Sequence, residues 1–142
     1  MKKIGVHINK MKIVKILNYS TIKCEIFSGN ENEFSNFSYV YESKKVGKIN
    51  FKMSDFQGQY LNKIKSKCDD DIFTEIVKKS ELNESKIIKI LYTGNSDLPV
   101  YYKLFSTESN KQFLICLSFG ERNKGVFTVS IEAFFELKLT DI

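Results

Sequence analysis

The sequence predicts an α+β fold in which a curved, mostly antiparallel sheet packs on a central helical pair. Three observations carry this reading. Phe127, Val129, Ile131, Ala133, Phe135, Leu137 and Leu139 alternate with more polar neighbours, the period-two pattern of a long strand with one buried face. Ahead of it, residues 112–119 are apolar on both faces and lead into the turn at 120–125, so the two segments form a hairpin. In the middle, Phe56, Tyr60, Ile64 and Cys68 recur every four residues and make one apolar helical stripe, joined by Leu61.

From the N-terminus, residues 3–8 and 12–17 read as strands about Asn9-Lys10, with a helix over 8–17 as the competing pattern. Residues 21–27 make a better strand, with Cys24 on the inward side shared by Ile22 and Ile26. Residues 28–36 are polar and read as a loop. Residues 35–41 and 46–53 form a hairpin whose tip is Glu42-Ser43-Lys44-Lys45. Ser54 and Gln57 are spaced as a capping box at the start of the first helix, although Gly58 inside it costs about 1 kcal/mol against alanine. Asp69-Asp70-Asp71 opens a second helix through Lys79, with Ile72, Phe73, Ile76 and Val77 inward and Glu75 paired to Lys79 outside. Residues 86–92 and 100–105, flanking the turn at 93–99, complete a C-terminal four-stranded meander with the final hairpin. A helical pair followed by a meander allows the sheet to wrap into a half-barrel around a ligand cavity. All 142 residues fit one domain.

The charge is +5 at pH 7, but 21 of the 22 basic residues are lysine and Arg122 is the single arginine. Arginine is the preferred residue for bidentate phosphate and guanine contacts, so this balance argues against a protein that reads DNA sequence. The charge is also uneven: residues 1–67 carry +8 and residues 68–142 carry −3. Met1-Lys2-Lys3 is followed by an apolar stretch that Asn9 and Lys10 break at once, so no signal-peptide core forms and a cytoplasmic location without membrane insertion is expected.

Catalytic and metal-binding patterns are weak. Cys24, Cys68 and Cys116 are odd in number and widely spaced, which suits reduced structural thiols rather than disulfides or zinc. The one histidine, His7, falls on the polar side of its expected strand, which disfavours a Cys–His dyad. The three aspartates at 69–71 are explained by capping and the helix dipole better than by a divalent cation. Glu-x-Lys triplets at 42–44, 84–86 and 136–138 occur about as often as chance allows in so Lys- and Glu-rich a chain, and no phosphate-binding glycine loop is present. Phe37, Tyr39 and Tyr41 alternate beside lysines and could stack bases, but the facing strand is equally apolar and makes them core.

These readings favour a non-catalytic protein-binding module with no cofactor or metal. In size, composition and lack of catalytic motif the chain resembles small bacterial inhibitors and immunity proteins that neutralise toxins, with an acidic partner surface expected. The partner-binding residues expected on charge and position are Lys44, Lys45 and Lys48 on the hairpin, and Lys63 and Lys67 one turn apart on the first helix. A lysine-rich nucleic-acid binder is the alternative, and a carrier of a small apolar ligand is the third reading.

Overall fold

A computed structural model describes residues 11–84, 91–93, 98–107 and 109–141. The expected strand over 3–8, His7, and most of the expected segments 86–92 and 93–99 lie outside the described residues. The elements are β1 (Met11–Gly29), α1 (Glu31–Ser35), β2 (Ser38–Ser43), β3 (Gly47–Lys52), two 3₁₀ segments (Met53–Phe56 and Leu61–Lys67), α2 (Asp70–Lys79), β4 (Leu82–Glu84), β5 (Leu91–Thr93), β6 (Val100–Ser106), β7 (Gln112–Asn123) and β8 (Val126–Asp141).

The architecture is α+β, with a four-stranded antiparallel sheet in the order β1-β8-β7-β6. As its two apolar faces require, β7 lies inside the sheet, between β6 and β8. The C-terminal meander is three strands long. The fourth place is taken by β1, while β5 pairs with β4 in a separate two-stranded ladder. Backbone spacing could not reveal this, because β1 joins β8 across more than one hundred residues.

Both faces of the sheet are covered, so it remains an open layer and encloses no half-barrel. One face packs on the second 3₁₀ segment and α2, through Leu61, Ile64, Phe73 and Ile76 against Leu114, Cys116, Phe135 and Leu137. The other packs on the β2–β3 hairpin and the first 3₁₀ segment, through Ile49, Phe51, Met53 and Phe56 against Ile115, Leu117, Ile131 and Phe134. Phe134 and Phe135 are both fully buried, one in each core. Truncating either to alanine removes about 3–5 kcal/mol from its own layer. Phe37, Tyr39 and Tyr41 are half-buried and pack against the second core, on the side their facing strand indicated: Tyr39 packs on Phe51, and Tyr41 lies 4.5 Å from the Phe134 ring centre.

The alternation along β8 does not bury a single face. Cys116 pairs with Ala133 and Leu117 with Ile131, which leaves Glu132 as an extra residue in a β-bulge. The bulge reverses the phase, so Val129 and Ile131 serve one core while Ala133, Phe135 and Leu137 serve the other. On the opposite side of β8, Thr21 pairs with Ala133 and Cys24 with Ile131, leaving Ile22 and Lys23 facing the same point. Lys23 takes φ +53°, an uncommon value for a residue other than glycine. The phase change turns Cys24 outward and leaves it exposed, against its expected place in the core. The two short strands expected over 12–17 and 21–27 are thus parts of one bulged strand of 19 residues.

Three further expectations change for local reasons. Residues 28–36 hold a short helix, because the Asn30 side chain accepts from Glu33 N and the Glu33 carboxylate accepts from Asn30 N in a capping box. The helix expected from Ser54 to Cys68 is divided by a turn in which Gly58 has φ +74°, so glycine serves the break rather than weakening a helix. The cap there is the Asp55 carboxylate, which accepts from Lys52 N at 3.0 Å. α2 stands where expected, with Asp70 and Asp71 in its first turn and Lys78 and Lys79 in its last. Asp69 occupies the N-cap without a side-chain capping bond, so the aspartates serve the helix dipole rather than the cap. Lys79, however, lies over the Tyr19 ring at 4.9 Å, and no ion pair joins it to Glu75 among the described residues. No helix among the described residues is long and apolar enough to cross a membrane.

Candidate binding groove

The break at Gly58 shapes a surface feature. Gln59 and Tyr60 run beside the edge strand β6: Tyr102 N donates to Gln59 O at 2.9 Å, and Tyr60 forms an antiparallel bridge with Tyr101. That pairing stacks the Tyr60 ring on Tyr101 at 4.8 Å, and Tyr101 on Phe119 of β7 at 3.9 Å with planes 9° apart. Phe34, placed by the capped helix α1, leans on Phe119 at 5.6 Å. Together these four rings line an open cleft of about 360 Å³, with Met53 contributing an apolar side chain. The polar lining comes from Ser35, Ser54 and Gln57, all exposed.

Stacked rings beside hydroxyls and a carboxamide suit recognition of an apolar or planar group with a polar edge. Burial, reinforced by a hydrogen bond with Tyr60, pushes the Tyr101 hydroxyl above the ordinary tyrosine pKa. It therefore stays protonated across the physiological range. At the margin, Lys63 Nζ donates to the Gly58 carbonyl, and no carboxylate pairs with Lys63 among the described residues. Lys103, two residues along β6 from Tyr101, is 3.7 Å from the Asp55 carboxylate. Among the described residues, neither Lys63 nor Lys52, the exposed residue next to the lining Met53, is paired with a carboxylate.

Of the five lysines expected to bind a partner, only Lys63 stands beside this groove. Lys44 and Lys45 occupy the hairpin tip as expected, but Lys45 is not free to reach outward. Its ammonium donates to Tyr19 O at 3.1 Å and to Ser20 Oγ at 3.0 Å, fastening the tip to β1. Lys48 is exposed on β3, opposite Glu42 in the ladder. Lys63 and Lys67 do not share a face: at three residues per turn, positions four apart differ by about 120°. Burial lowers the Lys67 pKa below the ordinary lysine value.

A second polar cluster lies where α2 ends against the sheet. The buried Glu132 carboxylate accepts from Lys23 Nζ at 2.6 Å and from Ser118 Oγ at 2.7 Å, and Lys23 also donates to Ser80 O. The fully buried Cys116 thiol adjoins Ser80, and burial raises its pKa to about 12. Among the described residues the Ser80 hydroxyl has no partner of normal hydrogen-bond geometry. Ser80, Ser118, Cys116 and Glu132 are closed off from solvent, so the cluster ties the helix terminus to the sheet instead of meeting a ligand.

The groove residues escaped sequence reading because their signals were those of core positions. Tyr60 sat on an apolar stripe, while Tyr101 and Phe119 sat in strands. The one usable local clue was Asn30-x-x-Glu33, the capping box that positions Phe34. No protein-family model matches the chain, and no curated protein or solved structure is detectably similar to it.

Proposed function

We propose that this chain is a non-catalytic binding module whose partner is another protein, seated over the aromatic groove. The observation that carries the reading is the half-buried Tyr60–Tyr101–Phe119 stack that lines an open cleft. Rigid aromatic residues with a polar tip are the side chains that concentrate binding energy at protein interfaces, because they present large area with few rotamers to freeze. Neutralisation of a toxin is the specific form of this reading suggested by the chain's size and composition. A nucleic-acid interface would need cations tracking a phosphate backbone, and the lysines are dispersed instead between the hairpin tip, the groove margin and the α2 side.

The test is affinity isolation from the source cells with the wild-type chain and with Ser54→Phe, which adds bulk to the groove at an exposed position. A protein held by the wild type and released by Ser54→Phe supports the reading. A protein held equally by both would place the interface elsewhere, and RNA or DNA in its place would select the alternative.

A further inference from the structure

Resting on that reading, we infer that the groove accepts an aromatic side chain flanked by carboxylates, the anchor of an acidic segment in the partner. Three features point to this occupant. The cleft, about 360 Å³, is at the small end of ligand sites, which run from about 300 to 1,000 Å³. It has room for one ring and its adjoining backbone. The lining rings are already arranged face to face, with Tyr101 and Phe119 only 9° from parallel, so an added ring extends an existing stack. Lys63 supplies the complementary charge: its ammonium is held at the cleft margin by the Gly58 carbonyl, a neutral acceptor that leaves the positive charge available. Asp55, the carboxylate adjoining the lining residue Ser54, is engaged by Lys103 and by Lys52 N, so it offers an incoming acid little repulsion.

A cleft with room for one ring also favours a side-chain anchor over a polynucleotide, which spreads its contacts over several bases and phosphates. Lys44 and Lys48 belong to the hairpin tip and β3, whereas the groove takes Met53 and Ser54 from beyond the hairpin's other end. Six strand residues at about 3.3 Å each separate the two ends by roughly 20 Å.

The chain contains no tryptophan, so the fluorescence of a tryptophan peptide reports binding without background. The probes are acetyl-Asp-Trp-Asp-amide, acetyl-Gly-Trp-Gly-amide, acetyl-Lys-Trp-Lys-amide and a fluorescently labelled dT oligonucleotide, with acetyl-Asp-Leu-Asp-amide as competitor. The acidic tryptophan peptide should bind best, with a blue-shifted emission, and Ser54→Phe should abolish the shift. Lys63→Gln should weaken that peptide about fivefold, leave the glycine-flanked peptide unchanged, and be rescued by Lys63→Arg. Equal binding of the lysine-flanked peptide, full competition by the leucine peptide, or indifference to Lys63→Gln would overturn the inference. So would Ser54→Phe-sensitive binding of oligo-dT in place of the peptides, which would assign the groove to base stacking. A partner protein released by Ser54→Phe while no tryptophan peptide binds would sink this inference alone. Peptide binding with no partner protein would instead sink the broader reading.

Discussion

Lys23 Nζ lies 2.6 Å from Glu132 Oε1, and the two residues occupy facing irregularities of neighbouring strands β1 and β8. The pair bridges the two irregularities and fastens the C-terminus of α2, since Lys23 also holds the Ser80 carbonyl. A buried carboxylate without its cation is strongly unfavourable, whereas removing both charges together is far less so. Lys23→Met should therefore lower stability by about 2 kcal/mol, reduced from the fully buried case because a third of the lysine side chain remains exposed. Lys23→Met combined with Glu132→Leu should recover most of that loss. Urea midpoints of the two singles and the double check this, and strictly additive losses would show that the pair is not coupled.

The three thiols should separate by reactivity. Cys24 is exposed and should be alkylated readily at pH 8, while Cys116 should react only on unfolding. Cys68 should be slow: burial, followed by the charges of Asp69, Asp70 and Asp71, raises its pKa to about 11. Mass spectrometry of timed iodoacetamide quenches reads the order, and fast modification of native Cys116 would contradict its enclosure.

The same shifts fix a sign for stability against pH. Cys68 and Cys116 hold their protons more tightly folded than unfolded, where the reference value is 9.0. Their contribution is complete below about pH 9 and is lost as pH rises through about 11 for Cys68 and about 12 for Cys116. Cys116→Ala should flatten the alkaline fall in melting temperature. An unchanged alkaline limb in that variant would refute the assignment.

Gly58 should resist substitution although a Cβ there meets nothing within 4 Å. Its φ of +74° disfavours any L side chain by about 1–2 kcal/mol, and the turn it makes sets Tyr60 on Tyr101. Gly58→Ala should thus lower the melting temperature and weaken groove binding together. Loss of neither would mean that the turn does not depend on left-handed backbone.

At the hairpin tip, neighbouring lysines should behave differently. Lys45→Ala should cost about 0.5–1 kcal/mol through its bonds to Tyr19 O and Ser20 Oγ, whereas Lys44→Ala should leave stability unchanged. Thermal melts of the two variants make the comparison, and equal effects would remove the tip's attachment to β1 as a stabilising contact.

The sequence alone determined whatever depends on local periodicity and end chemistry. It placed α2 behind its three aspartates, the β2–β3 hairpin about Lys44 and Lys45, and the pairing of β7 with β8. It also marked β7 as interior and Phe37, Tyr39 and Tyr41 as facing the core, because faces with no polar alternation must be buried wherever they come to rest. Tertiary structure decided the remainder. A bulge inserts one residue without any distinctive side-chain signature, so the reversal at Glu132 and the exposure of Cys24 were hidden in patterns that looked unbroken. The partner of β8 on its far side is β1, joined through strand pairing that no local spacing encodes. For the same reason the groove was invisible: Phe34, Tyr60, Tyr101 and Phe119 become one surface only when α1, the Gly58 turn and two strands meet. An apolar side chain obeys the same burial tendency whether it fills a core or lines a cleft, and only the packing of distant segments determines which it does.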